Sequence, residues 1–261
     1  MTASGTFEHI DVERTGDTVA ITMLNAAKRN VLSLPAMLEI TAALRDVAET
    51  DALNVIISAH GPAFSAGHNF SDMVGADYAT ARELFDVCTD MMSLIQQIPQ
   101  VVVAQVQGIA TAAGCQLVAM CDLAVAAESA VFQTPGGKGG LFCHTPMVAV
   151  GRAVGRKKGL EMALTGDPVD AQTACAWGLV NRVVPDEELE AATKELARRA
   201  SRGSPFSKAQ GKQTYYAQID MPQDQAYEYA TSVMSAGVTS HDGQEGIASF
   251  MEKRRPVWQG R

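Results

Sequence analysis

The chain has 261 residues, and its 21 lysines and arginines against 29 aspartates and glutamates leave a formal net charge of −8. This length indicates one large domain and excludes a small peptide module or a long multidomain chain. Hydrophobic residues make up 47% and charged residues 19%, which excludes an intrinsically disordered chain. The negative balance leaves no basic excess for a phosphate backbone, so we expect no nucleic-acid partner.

The cysteines and the apolar segments set expectations about the cell compartment. The five cysteines form no CxxC pair and lie in apolar or small-residue stretches, so we expect free thiols and a cytoplasmic protein. The stretch from Met1 to Thr15 contains acidic residues and no apolar run, which predicts no secretory signal. The longest weakly apolar run, 108–121, is shorter than the roughly 20 residues that a membrane span needs, so we expect no membrane partner.

In chain order, apolar β-branched stretches alternate with helical patterns. Strands are predicted at 19–24, 55–58, 101–106 and 123–126. A helix is predicted between the first two strands, because Ser33 can serve as its N-cap and Pro35 sits in its first turn. A further helix should begin near Gly114. Strands that alternate with helices indicate an α/β domain with crossover connections.

The later part of the chain has a helical pattern. Asp170 is expected to precede a helix that ends at Trp177 and Gly178, with a strand at 179–184 behind it. After Pro185 no strand pattern is found. Breaks between helical segments are predicted at Gly203–Pro205, Met221–Pro222 and Ser235–Ser240.

Several motifs that would indicate other chemistries fail on spacing. The run 136–140 lacks the residue order of a phosphate-binding loop, and 151–155 does not complete a dinucleotide-binding GxGxxG. The FSAG turn is not a nucleophile elbow, because Ala63 stands where GxSxG requires glycine. The five histidines show no metal-ligand spacing, so we expect no metal site.

Five stretches, in their order along the chain, resemble the crotonase family, which is the enoyl-CoA hydratase/isomerase superfamily. They are NAAKRNVL at 25–32, FSAGHNFSDM at 64–73, QGIATAAGCQLVAMCD at 107–122, residues 166–184, and DGQEGIASFMEKRRP at 242–256. Together they span residues 25–256, so the resemblance extends along nearly the whole chain. The spelling TAAGCQ, the run TPGGKGGLFCHTP and the ending KRRPVW are most similar to the third subgroup of enoyl-CoA hydratase domain-containing proteins.

The resemblance implies an α/β fold and an assembly. The expected fold is a crotonase-like spiral of ββα units at 1–200, followed by a helical C-terminal region at 201–261 that builds trimers and hexamers in relatives. The C-terminal region contains more large side chains than a solvated tail would carry, among them Tyr215, Tyr216, Tyr227, Tyr229 and Phe250. We therefore expect a homotrimer or homohexamer.

The resemblance also implies an oxyanion hole for an acyl-CoA or enoyl-CoA thioester, with coenzyme A as part of the substrate and no separate cofactor. Two backbone N–H groups would stabilise the enolate oxygen of the thioester as charge develops. By the resemblance they belong to Ala66, in the FSAG turn, and to Ala113, at the start of the helix that runs through Gln116. Small residues permit the close approach of the backbone, and a helix N-terminus adds partial positive charge.

The two carboxylates that transfer protons in hydratases are replaced in this chain. Gln116 stands at the first position, and Gly136, after the turn that ends at Pro135, stands at the second. Positioned acid or base groups contribute about 10² to 10⁴ in rate, so weak hydratase activity is expected. His144 could serve instead as a general base, with a role at a helix start as the alternative.

Other residues in the matching stretches receive less definite roles. His68 and Asn69 lie in the turn that faces CoA and are assigned to CoA binding, with a structural role as the alternative for His68. Asn69 replaces the acidic residue that is common after FSAGH. Asp72 could cap the helix that follows, or could act in catalysis.

Two basic clusters match family segments that lie along CoA. Lys28 and Arg29 match the segment beside the adenosine and phosphates. Lys253 and Arg254, with Arg255, match a C-terminal cluster that meets the CoA phosphate, often from a neighbouring subunit. The alternative for the second cluster is a solvated charge run at a helix C-terminus.

Two functional hypotheses from different classes remain open. The first is an enzyme of the hydratase or isomerase type that acts on an acyl-CoA thioester through a stabilised enolate. The second is an acyl-CoA-binding protein that kept the oxyanion pocket and lost the proton-transfer chemistry. Gln116 and Gly136 favour the second hypothesis, whereas the glycine turns fit both.

Overall fold

The structure is a computed structural model that describes residues 7–261. The prediction about a secretory signal concerns Met1 to Thr15, of which residues 1–6 lie outside the described residues. The strands are β1 Ile10–Thr15, β2 Thr18–Met23, β3 Asn54–Ala59, β4 Ala63–Ser65, β5 Val101–Val106, β6 Ile109–Thr111, β7 Leu123–Ala127, β8 Val131–Gln133, β9 Val169–Asp170 and β10 Arg182–Val184. The helices are α1 Leu34–Ala48, α2 Tyr78–Gln97, α3 Ala113–Met120, α4 His144–Val154, α5 Arg156–Thr165, α6 Ala171–Trp177, α7 Leu189–Ala200, α8 Pro205–Gln218, α9 Gln223–Thr239 and α10 His241–Met251.

The strands form two sheets, and the chain alternates between them. The large sheet has the order β1-β2-β3-β5-β7-β10, and the small sheet has the order β4-β6-β8-β9. Each of three successive turns adds one strand to the large sheet, one to the small sheet and then a helix: β3-β4-α2, β5-β6-α3 and β7-β8-α4. This repetition is the expected spiral of ββα units.

The main hydrophobic core includes the inner face of the large sheet and the buried sides of α1, α2 and α3. Parallel strands buried on both faces have continuous apolar sequences, which is why Val101–Val106 could be identified as a strand from its composition. On the opposite face of the large sheet, α7 packs Leu189, Leu196 and Ala197 against Ile56 and neighbouring strand residues. The large sheet is therefore covered on both faces.

The small sheet brings three chain turns to one edge. Its strands β4, β6 and β8 run parallel, so the residues that follow Ser65, Thr111 and Gln133 leave from the same end. The backbone N–H of Ala112 donates to the carbonyl oxygen of Gln133 at 2.9 Å, which joins two of these turns directly. All three turns carry residues that the family resemblance assigns to the site.

The C-terminal helices attach to the spiral through a buried polar contact. The Lys212 ammonium on α8 lies 2.8 Å from the Asp122 carboxylate and donates to the carbonyl oxygens of Ile95 and Gln100. The Tyr216 hydroxyl donates to the same carboxylate at 2.8 Å. By contrast, neither α8 nor α9 has a buried residue within the described chain.

The predicted elements agree with the structure except at a few boundaries. The Ser33 and Asp170 caps are confirmed, since their side chains accept hydrogen bonds from Ala36 and Thr173. The predicted strand 179–184 is shorter, Arg182–Val184, and the break predicted at Ser235–Ser240 is narrower, because α9 continues to Thr239 and only Ser240 separates it from α10. The sequence analysis assigned no element to 78–97, where α2 lies. Among the described residues no helix combines the length and hydropathy required to cross a membrane.

Candidate functional site

The turn after β4 packs directly on the start of α3. A Cβ atom added to Gly67 would lie 2.9 Å from the carbonyl oxygen of Thr111 and 3.2 Å from the nitrogen of Ala113. A Cβ atom added to Gly114 would overlap the carbonyl oxygen of Ser65. Glycine at both positions is therefore required for the contact. This contact joins the two turns that the family resemblance assigns to the oxyanion hole.

Helix α3 begins at a strained residue. Ala112 has φ 51° and ψ −117°, a region that residues with a β-carbon rarely adopt, and its side chain makes no cap hydrogen bond. Its backbone is held by the hydrogen bond to Gln133 on β8. The bend turns the chain from β6 into α3, and the first helical N–H groups have no partner within the helix.

The first predicted donor needs a correction. The N–H of Ala66 donates to the carbonyl oxygen of Arg29 at 2.9 Å, so it is not free for a ligand and its assignment is wrong. Nearby, Leu32 pairs with His68 in a parallel bridge, donating to Gly67 O and accepting from Asn69 N. The N–H of His68 therefore points away from Leu32.

Two backbone donors remain at this place. Within residues 7–261, neither the His68 N–H nor the Ala113 N–H has a hydrogen-bond acceptor. The contact of Gly67 with Ala113 brings the two donors to one location, with the α3 N-terminus adding partial positive charge. The predicted role of Ala113 is thus compatible with the structure, and His68 takes the place of Ala66. The sequence gives no direct signal that His68 and not Ala66 supplies the donor, because the hydrogen bond of the Ala66 N–H is made to Arg29, which lies far away in the chain.

Buried polar side chains without partners surround these donors. Gln116 is 5% exposed and Thr134 is fully buried, and neither Gln116 Oε1 nor Thr134 Oγ1 has a partner in the described residues. The same holds for Thr111 Oγ1 and for both ring nitrogens of His68. Unpaired buried polar groups are costly, so each indicates an internal water or a bound ligand. Thr111 and Thr134 begin the stretches TAAGCQ and TPGGKGGLFCHTP, but the sequence assigned them no role, because it does not show that their hydroxyls are buried without a partner.

The His68 ring is packed rather than exposed. It lies edge-on against Phe85 of α2, with ring centroids 5.3 Å apart. Burial lowers the pKa of His68, so the imidazole is neutral near pH 7. This packing is compatible with the structural role considered for the side chain, while the backbone N–H of the same residue faces the site.

The second proton-transfer position is sterically closed. A Cβ atom on Gly136 would overlap the carbonyl oxygen of Leu141 and would lie 2.8 Å from Cys143 Sγ. The φ of Gly136 is not positive, so the obstacle is space and not backbone conformation. The segment 141–143 thus occupies the place into which a side chain at 136 would extend. Burial raises the pKa of Cys143, which keeps this thiol protonated near neutral pH.

His144 lies outside this buried group. It is the first residue of α4, it is exposed, and its ring packs against Phe142 at 5.0 Å. Its position at the helix start fits the alternative interpretation considered for it. Its ring makes no hydrogen bond to a described residue, so nothing orients it as a base toward Gln116.

Asn69 and Asp72 are structural in the turn that carries His68. Asp72 accepts from the N–H of Leu34, at the start of α1, and from Asn69 Nδ2. The expectation that Asp72 caps the helix after FSAGHNF is therefore wrong, because it caps α1 instead. Asn69 Oδ1 accepts from the N–H of Ser71. The Asn69 side chain is thus occupied within its own turn.

Of the two basic clusters, the first has unpaired charges beside the site. Lys28 and Arg29 are exposed, and neither forms an ion pair with a described carboxylate. Arg29 has φ 54° and its carbonyl accepts from Ala66, so this segment is attached to the turn that precedes His68. The backbone of this segment thus contacts the turn that carries His68, and the assignment of the two cations to the phosphates of CoA stays a prediction.

The second cluster has a different arrangement. Arg254 forms a bidentate pair with Glu245, at 2.6 and 2.7 Å, and a further bond with Glu252. Its assignment to CoA binding therefore needs correction, because the guanidinium already binds two carboxylates of its own chain. Lys253 and Arg255 are exposed and unpaired among the described residues.

The cysteines and potential metal ligands offer no other chemistry here. All five cysteines are free, and burial raises the pKa of Cys88 and of Cys115 to about 12. Cys115 is therefore a thiol, and not a thiolate, at neutral pH. Within residues 7–261, no three His, Cys, Asp or Glu side chains cluster in a way that could hold a metal ion.

The chain is similar to known proteins over nearly its whole length. The sequence model of the family described as "Enoyl-CoA hydratase/isomerase" matches residues 13–261. The chain is 47% identical over 242 residues to "Enoyl-CoA hydratase domain-containing protein 3, mitochondrial" of Rattus norvegicus, covering 91% of this chain and 80% of the relative. The crystal structure of human enoyl coenzyme A hydratase domain-containing protein 3 matches with a TM-score of 0.93 and 40% identity, covering 96% of this chain and 100% of that chain. An enoyl-CoA hydratase of Mycobacterium smegmatis matches with a TM-score of 0.93 and 39% identity, covering 96% and 99%. The resemblance and the crotonase-like fold are confirmed.

The expectation of a cytoplasmic protein is wrong. The similar proteins of Rattus norvegicus and Homo sapiens are named as mitochondrial proteins, which conflicts with it. The cysteine pattern could not decide the question, because free thiols argue only against an oxidising compartment and do not distinguish one reducing compartment from another.

Proposed function

The chain belongs to the enoyl-CoA hydratase/isomerase family, and from this premise we propose that it binds an acyl-CoA or enoyl-CoA thioester and stabilises negative charge on the thioester oxygen. The observation that carries the proposal is that the backbone N–H groups of His68 and Ala113, where the turn after β4 packs on the start of α3, have no acceptor among the described residues. Both belong to elements held by glycine contacts and strand hydrogen bonds, so little reorganisation is needed when charge develops. One such donor is worth about 10² to 10³ in rate.

The proton-transfer step is the weak part of this site. An amide at Gln116 can orient a water or a substrate oxygen, but it cannot exchange a proton near neutral pH. No side chain extends from Gly136. We therefore propose a thioester-polarising enzyme whose hydration of enoyl thioesters is slower by roughly 10³ than that of a relative with both glutamates.

A second candidate is an acyl-CoA-binding protein without turnover. The observation that favours it is the overlap of a Gly136 side chain with Leu141, because a second acid or base cannot be placed there without moving the 141–143 segment. Both candidates share the same ligand. Only chemistry on the bound thioester separates them.

The rest of the ligand would follow the exposed cations. Lys28 and Arg29 can pair with the nucleotide phosphates of CoA, because both are unpaired among the described residues and lie beside the donor turn. Lys253 and Arg255 can do so from a neighbouring subunit.

We propose a homotrimer or homohexamer as the assembly. Helices α8, α9 and α10 enclose a groove of about 1570 Å³. Large apolar residues of these helices stay exposed in the isolated chain, including Tyr227, Met234, Phe250 and Met251. A surface of this kind favours contacts between subunits.

The experiment uses cinnamoyl-CoA, a conjugated thioester whose absorption moves to longer wavelength when its carbonyl is polarised. We expect this shift with the wild-type protein and its loss in Ala113→Pro, since proline removes the N–H but suits the first position of a helix. Arg156→Pro, at the first position of α5, is the matched control. A wild-type protein that binds cinnamoyl-CoA without a spectral shift would contradict the oxyanion hole. Exchange of the α-protons of butyryl-CoA in deuterated water, followed by mass spectrometry, then separates the enzyme from the binding protein.

A further inference from the structure

The turn that carries the His68 donor is held before His68, where the N–H of Ala66 donates to Arg29 O and Gly67 packs on Thr111. Among the described residues from His68 to the start of α2, backbone pairing with another segment is limited to the bridge between His68 and Leu32. One of the two hydrogen bonds of this bridge, from Asn69 N to Leu32 O, is long at 3.4 Å. The direction of the His68 N–H therefore depends on whatever else holds residues 67–72.

The Asp72 carboxylate supplies that restraint. Its Oδ2 accepts from the N–H of Leu34 at 3.0 Å, and its Oδ1 accepts from Asn69 Nδ2 at 2.9 Å. Leu34 follows closely after Leu32, the residue that bridges to His68. The Asp72 side chain thus links the two segments that the bridge pairs, because it contacts Asn69, just after His68, and Leu34, just after Leu32. A carboxylate is well suited to this place, because it accepts two hydrogen bonds and lies at the positive end of α1.

We propose that Asp72 is a positioning residue for the oxyanion hole: it fixes the peptide of His68 by joining Asn69 to the start of α1. This inference rests on the proposed function, since it concerns one of the two donors. It differs from both roles considered for Asp72 from the sequence, because the carboxylate contacts no reacting atom and does not cap the helix that follows it.

A purely structural role would have another signature. Helix α1 already has a capping side chain, because Ser33 Oγ accepts from Ala36 N, so loss of Asp72 leaves the helix with a cap. If Asp72 served only α1, its removal would lower the melting temperature and leave the donor geometry of bound thioester unchanged. If it positions His68, removal must change the polarisation of the thioester carbonyl.

The test compares three variants by the spectrum of bound cinnamoyl-CoA at saturation. For Asp72→Ala we expect at least half of the wild-type spectral shift to be lost, and slower α-proton exchange by roughly tenfold to a hundredfold, as expected for a misplaced donor. For Asp72→Asn, which keeps one acceptor for Leu34, an intermediate shift is expected. Asp77→Ala removes a comparable helix cap, that of α2, and should keep the full shift. Binding of free CoA, which has no thioester carbonyl, should be equal in all variants.

The outcomes distinguish failure of this inference from failure of the proposed function. A full spectral shift in folded Asp72→Ala would overturn the positioning role, whatever the change in melting temperature. Absence of the shift in the wild-type protein would instead contradict the oxyanion hole itself. If Asp72→Ala does not fold, Asn69→Ala provides the measurement, because it removes the Asn69 link and leaves the bond to Leu34; an unchanged shift in Asn69→Ala would then overturn the inference.

Discussion

Gly136 and Leu141 lie so close together that a β-carbon on the glycine would overlap the carbonyl oxygen of the leucine. Gly136 lies within a short 3-10 helix, Pro135–Gly139, and Leu141, which follows this helix, donates its N–H to Gly136 O at 3.0 Å. Gly136, at a position that the family resemblance assigns to proton transfer, is thus built into the loop. Reversing the replacement requires a different loop conformation.

Carboxylates introduced at Gln116 and Gly136, the two positions that the family resemblance assigns to proton transfer, should therefore have different effects. Gln116→Glu is nearly isosteric, so the protein should fold, and hydration of crotonyl-CoA should rise. Gly136→Glu should lower the free energy of unfolding by about 1–3 kcal/mol or more, because the new side chain forces the loop apart. Urea unfolding and hydration rates check both. Equal stability of the two variants would contradict the overlap.

The buried pair of Lys212 and Asp122 should contribute strongly to the stability of the C-terminal attachment. Lys212→Met leaves an uncompensated buried carboxylate, so we expect a loss of about 3–5 kcal/mol in the free energy of unfolding. The double variant with Asp122→Asn should recover part of this loss. Arg82→Ala, which breaks the exposed pair with Asp86, is the control and should change stability by about 0.5 kcal/mol or less. If Lys212→Met lowers the free energy of unfolding no more than the control does, the buried pair does not contribute strongly to stability and the prediction is contradicted.

The C-terminal segment should detach in acid. The Arg254 guanidinium lowers the pKa of Glu245 to about 2, from an ordinary value of 4.5. Because the folded-state pKa is depressed, this contribution to stability is present above pH 4.5 and is lost as the pH falls toward 2. The fluorescence of Trp258, which lies beside Gly246 on α10, should report the change in a Trp177→Phe background.

The control for this pH dependence is Glu245→Gln. It removes the titrating carboxylate, so the transition between pH 4.5 and 2 should weaken or disappear. A transition of unchanged amplitude in Glu245→Gln would assign it to other groups. Asp242 is the first such group, because hydrogen bonds from Ser204 and Gln259 outweigh its burial and lower its pKa as well.

Relief of the strain at Ala112 should stabilise the protein. Ala112 has φ 51°, which is unfavourable for a residue with a β-carbon. Ala112→Gly removes this strain, which should raise the free energy of unfolding by about 1–3 kcal/mol. The greater freedom of glycine in the unfolded chain offsets about 0.4–1 kcal/mol of this gain. Urea unfolding should show a net increase. Ala36→Gly, in the ordinary helical backbone of α1, should show a decrease.

The exposed apolar face of the C-terminal helices should hold the proposed assembly together. Phe250 is 85% exposed in the isolated chain, and Phe250→Asp should convert a trimer or hexamer into smaller species. Leu38→Asp changes a residue of α1 that is 51% exposed and should leave the assembly intact. Light scattering coupled to size-exclusion chromatography measures both. A monomeric wild-type protein would contradict the proposed assembly.

Local features were predictable from the sequence because their causes are local. Ser33 and Asp170 cap helices through N–H groups three residues away, and the strand Val101–Val106 follows from a continuous apolar run. The meeting of the FSAG turn with the start of α3 was predictable only through the family resemblance. Helix α2, which spans 78–97 with an amphipathic pattern, was not predicted, because none of the stretches that carry the family resemblance lies within it.

By itself, the sequence determined most strands of the large sheet, the positions of the glycine turns and the absence of a carboxylate side chain at Gln116 and Gly136, whereas the order of the ββα units followed from the family resemblance. The tertiary structure decided which polar groups are free. The N–H of Ala66 donates to the carbonyl oxygen of Arg29, and the Arg254 guanidinium donates to the Glu245 carboxylate. The N–H of His68, by contrast, has no acceptor among the described residues. The reason is that hydrogen-bond satisfaction depends on partners brought together by folding, and no residue type or spacing records whether such a partner is present.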